Sequence, residues 1–389
     1  MGNPKKLSFF MAVKINIIFV NQLRFMIVKE IVEVLEEWAP SAYAEDFDNV
    51  GLLVGDLNQK CSGIIVSLDC TLPLLQEAQT KKCNLVVCFH PILFTGLKKI
   101  TGQTYVERCV QYAIQHEISI LALHTRLDNH PEGVNRVLAQ ALSIENSRIL
   151  IPKSGGLKKL NTYVPHDHVE AVLEALHKSG AGALGNYSDC SFSVSGTGRF
   201  KGNDHSNPFK GEINKRNEVE EVNIKMVFAS HLSAQVINAL KESHPYETVA
   251  FDIVALDNPN PEIGMGRIGE LQAPLEGSVF LNKVKKSVPS GMLRHSSIPS
   301  KPIHKVAVLG GSGSFAIEAA KKQGADAFIT ADLKYHHFFQ GEESLLLVDV
   351  GHYESEQFTK KLIFEHLSKN LPNFAVVLSE TITNPVNYF

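Results

Sequence analysis

The sequence predicts an α/β fold: a split α/β domain interrupted by a ferredoxin-like α+β insert. Three observations lead to this reading. Short apolar runs alternate with amphipathic segments from Gly63 to Ile151, which is the pattern of parallel strands joined by crossover helices. The same alternation resumes after Val306, and between the two stretches lie two strand–helix–strand units of a different kind. At 389 residues the chain exceeds one average core, so two domains, or one interrupted by another, are expected.

Residues 1–25 are expected to form a poorly packed leader. Leu7 to Val20 is apolar but interrupted, with Lys14, Asn16, Asn21 and Arg24 breaking the stretch. No uninterrupted run approaches the roughly 20 residues of a bilayer crossing, and no small-residue cleavage site follows, so membrane attachment is not expected. Met26 to Glu37 begins a helical pattern, with Ile27, Ile31, Val34 and Leu35 on one face, and Met26 is read as the functional start.

Within 26–156, the first half of the α/β domain, the strand candidates are Ile64 to Leu68, Leu85 to Cys88 and Ile118 to Leu123. The insert is placed at 157–275. Leu160 to Val164, Val169 to Leu176 and Ser191 to Val194 form one β-α-β half, and Val222 to Phe228, Ala234 to Leu240 and Val249 to Ala255 form the other. Lys201 to Glu221, polar and mixed in charge, reads as a long loop between them. The second half of the domain, 276–389, carries Val306 to Leu309, Ala327 to Ile329, Leu345 to Val350 and Phe374 to Leu378 as strands.

Composition excludes several function classes. Hydrophobic residues at 44% and charged residues at 20% are globular values, incompatible with a disordered or fibrous chain. A net charge of -3 supplies no basic field for a phosphate backbone, so no nucleic-acid partner is expected. Six cysteines without CxxC pairing point to reduced thiols and a cytoplasmic protein.

In open α/β sheets ligands bind beyond the carboxyl ends of the strands. Here Leu85 to Cys88 leads into His90, Ile118 to Leu123 into His124, Thr125 and Asp128, and Leu345 to Val350 into His352 and Glu356, so each strand is expected to deliver a donor to the same edge. His352 and Glu356, four apart at a helix start, share one helical face. Imidazole and carboxylate together suit a divalent ion such as zinc, iron, manganese or nickel. Each residue also has a plainer reading: an HxxxE pair is commonly a solvated surface, His90 a packed histidine, Asp128 a cap for a helix starting near Pro131. His124 and Thr125 serve as support or proton shuttle, or His124 simply closes the strand. Asp332, Lys334 and His336 follow another strand, where His336 is either solvent-exposed or a proton-transfer group. Gly310-Gly311-Ser312-Gly313-Ser314 is a phosphate cradle or a tight strand-to-helix turn, and Asp48-Asn49-Val50-Gly51-Leu52 a turn with a possible place at the site.

Taken in order, the chain resembles the GTP cyclohydrolase I type 2 homologues, the Nif-three-like dinuclear-metal proteins. The resemblance is carried by Asp48-Asn49-Val50-Gly51-Leu52, Ser67-Leu68-Asp69, His90-Pro91, His124-Thr125 with Asp128, Gly133-Val134-Asn135, Leu309 to Gly313 and Gly351 to Glu356. It covers nearly everything after Met26. The insert resembles the PII/CutA-like domain of the longer bacterial members, through Gly185-Asn186-Tyr187-Ser188, Gly196-Thr197-Gly198, His244-Pro245-Tyr246-Glu247 and Gly266-Arg267-Ile268-Gly269. The resemblance implies a ring-shaped homohexamer and one or two divalent cations per subunit. The implied ligands are His90, Asp128, His352 and Glu356, with Glu356 bridging the ions; in a catalytic site His124 or His336 is expected to move protons.

One position departs from the pattern, Phe89 standing where many members have a second histidine. That leaves one ion with His90, Asp128 and Glu356, and the other with only His352 and Glu356, so that it either binds weakly or uses water and His336. The family name implies hydrolytic opening of the guanine imidazole ring of GTP, and the expected function is that of a metal-dependent hydrolase on a nucleotide-like or other small substrate. The alternative is a non-catalytic metal-binding or regulatory protein whose insert senses a small molecule.

Overall fold

Strands that are apolar on both faces need cover on both sides, and the early strands receive it. The computed structural model describes residues 26–288 and 291–388, so the expected leader lies outside the described residues. Ile64–Ser67, Leu85–Cys88 and Ser119–Ala122 are buried throughout and run parallel. One face of this sheet packs Ile65, Val86 and Ile120 under Leu74, Leu75 and Ala113 of the helices Leu72–Thr80 and Tyr105–Gln115. The other packs Val66, Val87 and Leu121 under Ile31 and Leu35 of Val28–Trp38 and Ile363 and Leu367 of Thr359–Asn370. Gly51–Val54 adds an antiparallel edge, and Val376–Leu378 closes the opposite edge parallel to Ile64–Ser67. A late strand therefore completes a sheet begun more than three hundred residues earlier.

The second sheet has six strands, in the order Arg294–His295, Leu346–Asp349, Ala327–Ala331, Ile303–Ser312, Asn260–Leu275 and Ile144–Lys153. Its three middle strands, 303–312, 327–331 and 346–349, are parallel and the rest antiparallel.

Here the structure departs from the sequence expectation. Asn260–Leu275, placed within the insert by sequence, is hydrogen-bonded between Ile144–Lys153 and Ile303–Ser312. Its glycines hide the strand pattern, yet closeness requires them: a Cβ on Gly264 would stand 2.1 Å from the carbonyl oxygen of Ile151.

The third sheet is antiparallel, in the order Phe192–Phe200, Asn217–Ala229, Leu157–Pro165, Phe251–Ala255. The helices Val169–Lys178 and Ser233–Ser243 cover one face, packing Val172, Leu176, Val236 and Leu240 on Leu160, Ile224 and Met226. The two β-α-β units are therefore interleaved. The joining loop is shorter than expected, because Asn217 to Glu221 are already paired with Gly196 to Phe200. Among the described residues no helix is long and apolar enough to cross a membrane. All six cysteines are free.

Candidate metal centre

The sequence places donors at the ends of strands, and the structure shows that these ends belong to two sheets facing each other rather than to one edge. From the first sheet come Asp69 after Ile64–Ser67, His90 after Leu85–Cys88, and His124 and Asp128 after Ser119–Ala122. From the second come Gly310 and Gly311 in Ile303–Ser312, Asp332 after Ala327–Ala331, and His352 and Glu356 after Leu346–Asp349.

Local backbone geometry sets each donor. The His90 amide donates to Leu68 O at 2.9 Å, and the His124 amide to Phe89 O at 2.8 Å. His124 sits at φ 35 and Asp332 at φ 56, a left-handed region that costs a non-glycine residue on the order of 1 kcal/mol or more. A single helical turn, Thr125–Asp128, then turns Asp128 inward. The next helix, Val134–Ala141, is preceded by Gly133, so Asp128 does not cap it. Gly351, at φ 92, starts the short helix His352–Glu356.

Both imidazoles meet one carboxylate oxygen. His90 Nε2 lies 3.0 Å and His352 Nε2 3.1 Å from Glu356 Oε2, with the ring centroids 5.3 Å apart. The resemblance implies one ion for each histidine, whereas the geometry turns both toward the same point. The far nitrogens are held by carboxylates: His90 Nδ1 donates to Asp69 Oδ1 at 2.7 Å, and His352 Nδ1 to Asp332 Oδ2 at 2.7 Å. With Nδ1 donating, each ring in its neutral form presents an Nε2 lone pair to the shared centre.

His90 Nε2, Glu356 Oε2 and Asp128 Oδ1 are buried without a hydrogen-bond partner. Such atoms are costly to leave unmatched, and a cation at the point where they converge would match them. The donor set of two imidazole nitrogens and carboxylate oxygen therefore fits a divalent metal ion. Asp128 stands beside this triad rather than within it.

The electrostatics agree. Burial opposes charge on His90 and His352, but the nearby carboxylates of Asp69 or Asp332 and of Glu356 outweigh it, holding them at about 9 and about 11. Burial would raise Glu356, yet the two histidines hold it down at about 2. Burial, then the charge on Glu356, push Asp128 far above the carboxylate range. One positive charge at this point would favour ionised Asp128 and neutral imidazoles together.

His124 lies one ring away, 5.6 Å from His90 between centroids, and its Nδ1 donates to Asp48 Oδ1 at 2.7 Å. The Thr125 amide also donates to Asp48, at 3.1 Å, so the turn at Asp48 takes part in the site. His336 is not brought in. It is exposed on the 3-10 segment Tyr335–Gly341, against Tyr335 and Phe339.

The glycine turn is no phosphate cradle: the Gly310 amide donates to Asn135 Oδ1 at 2.9 Å and the Gly311 amide to Ser355 Oγ at 2.9 Å. Sequence reasoning missed Asp69 and Asp332 as supports of the histidines. Their signal was position, each being among the first polar residues beyond a buried strand.

The profile of the Duf34/NIF3 (NGG1p interacting factor 3) family matches residues 26–385. A curated Bacillus subtilis protein described as a GTP cyclohydrolase 1 type 2 homolog is 37% identical over 369 residues, covering 92% of this chain and 98% of its own length. A Halalkalibacterium halodurans protein of the same description is 35% identical over 364 residues, covering 92% of this chain and 98% of its own length. Among solved structures, a Bacillus cereus protein related to NIF3 superposes with a TM-score of 0.82 at 33% identity, over 94% of this chain and 100% of that one. A Staphylococcus aureus protein gives a TM-score of 0.74 at 28% identity, over 94% and 99% of the two chains.

Proposed function

We propose that this chain, which belongs to the Duf34/NIF3 family, is a divalent-metal-binding protein that acts as a metal-dependent hydrolase on a nucleotide-like or other small substrate. The observation that carries the reading is the convergence of His90 Nε2 and His352 Nε2 on Glu356 Oε2, each ring oriented by a carboxylate behind it. The relatives described as GTP cyclohydrolase 1 type 2 homologs support the hydrolase class.

His90, His352 and Glu356 would hold the ion, with Asp128 beside them. A divalent ion supplies Lewis acidity and activates water near neutral pH. Asp69 and Asp332 keep the imidazoles in the tautomer that presents Nε2. His124 keeps Nδ1 on Asp48, which leaves Nε2 to take or give a proton at the substrate. Asp48 would then stabilise the imidazolium.

The insert is read as a ferredoxin-like, PII/CutA-like domain, which its interleaved strand order supports. Its uncovered sheet face carries exposed Tyr163, Phe192, Val194 and Val254, in keeping with a homo-oligomer, for which the resemblance implies a hexamer. Free, mostly buried cysteines are in keeping with a cytoplasmic protein.

Elemental analysis of untreated protein, together with a metabolite screen, tests the reading. Bound divalent metal and product formation that both fall away in Glu356→Gln are expected. Full turnover in that variant, or no metal in the parent protein, defeats it. A non-catalytic sensor would instead bind a ligand on the insert and turn over nothing.

A further inference from the structure

Residues 379–388 form neither helix nor strand, yet they touch both halves of the site. Glu77, in the helix Leu72–Thr80, holds their beginning. Its carboxylate accepts from Ser379 Oγ at 2.9 Å, the Glu380 amide at 2.9 Å and the Thr381 amide at 3.0 Å. Thr383, only 9% exposed, donates its hydroxyl to Asp69 Oδ2 at 2.6 Å. The other oxygen of Asp69 is the one that accepts from His90. Asn384 Nδ2 and the Tyr388 hydroxyl then donate to Glu354 Oε1 at 3.1 and 3.4 Å. Glu354 is buried in the helix His352–Glu356, on the opposite sheet. One short segment thus grips the carboxylate behind His90 and the helix that carries His352 and Glu356.

We propose that Thr383 is a positioning residue of the metal centre: it fixes the Asp69 carboxylate, and through it the ring of His90. The proposal rests on the metal-binding reading above. A carboxylate bonded through one oxygen can swing about its side-chain torsions and exchange that bond for water, the more readily as the Asp69 side chain is 31% exposed. A hydroxyl on the second oxygen fixes the plane of the carboxylate. The direction of the His90 Nδ1–H bond is then fixed too, and with it the aim of Nε2. Asn384 and Tyr388 hold the opposing helix to the same stretch of backbone, so the gap between His90 and Glu356 is set by one segment. Had Thr383 merely tacked an irregular surface segment to the protein, its loss would lower stability and leave the affinity for an ion alone.

The test uses the full chain, stripped of metal with a chelator and titrated with Co²⁺, whose visible absorption reports coordination. Thr383→Val is expected to weaken cobalt binding about 10-fold or more and to alter the spectrum, and Thr383→Ser to restore both. Should the valine variant not fold, Thr383→Ala removes the hydroxyl without a branched replacement and reads the same two quantities. Parent affinity and spectrum in a folded variant lacking the hydroxyl overturn the proposal alone. A parent protein that takes up no cobalt overturns the metal-binding reading and this proposal with it.

Discussion

Gly311 and Glu356 touch: a Cβ built on Gly311 would lie 2.3 Å from Glu356 Oε1, and the glycine has φ 69. The end of one strand thus leaves room for the carboxylate on which both histidines converge. Gly311→Ala should both strain the backbone, by about 1 kcal/mol or more, and push Glu356 off its position. We expect a lower thermal midpoint and loss of bound metal, read by calorimetry and elemental analysis; an alanine variant with full metal content would show that Glu356 does not need this place.

Asp332→Asn should leave the fold intact and weaken metal binding roughly 10- to 100-fold, since His352 Nδ1 loses its charged acceptor. Competition against a chelator of known affinity measures this. Equal affinity in the two proteins would make Asp332 a bystander.

Metal uptake should strengthen as pH rises. In the ion-free chain His90 and His352 stay protonated up to about 9 and about 11, because their carboxylate partners outweigh the cost of burial. The ion must displace those protons, so affinity climbs with pH until it passes about 9 and about 11, where the rings shed them unaided. Stability has the opposite sign. The raised values mean that these contacts stabilise the ion-free fold fully below the unfolded histidine value and lose that effect as pH passes the folded values. Calorimetric titration at pH 7 in two buffers of different ionisation enthalpy should show protons released on binding; no buffer dependence would refute it.

Glu77→Gln should loosen residues 379–381. Burial disfavours the Glu77 charge, but bonds from Thr381, Glu380 and Ser379 outweigh it and hold the group at about 2. A depressed value contributes stability above the unfolded value near 4.5, lost as pH falls toward 2. The variant should cost about 1–3 kcal/mol at pH 7 and much less at pH 2 to 3. Urea unfolding at the two pH values gives the difference, and a cost that does not shrink in acid would contradict the assignment.

The buried strands were legible because each is a short apolar run, and Leu85–Cys88 falls where the pattern put it. His90, His352 and Glu356 were legible because each follows such a run. What escaped depends on contacts that local pattern does not encode. Asn260–Leu275 is broken by glycines that only make sense against Ile144–Lys153, and Asn135 looks like any helix-start residue until its side chain links Asp128 O to the Gly310 amide. The meeting of two sheets could not be read from strand ends alone, since a periodic pattern says which residues leave a strand and not what faces them. Thr383 carries no signal of its own, being one of several polar residues in an irregular stretch.

Because Val376–Leu378 closes the sheet that Ile64–Ser67 opens, and because donors arrive from both sides of the insert, the proposed ion-binding residues cannot meet while only the first half has left the ribosome. Such distant pairing makes assembly slow, since long loops must close before the contacts that reward them. A chain cut short after the insert would keep His90 and Asp128 but lack His352 and Glu356, so on the metal-binding reading uptake of an ion would report that synthesis ran past residue 356.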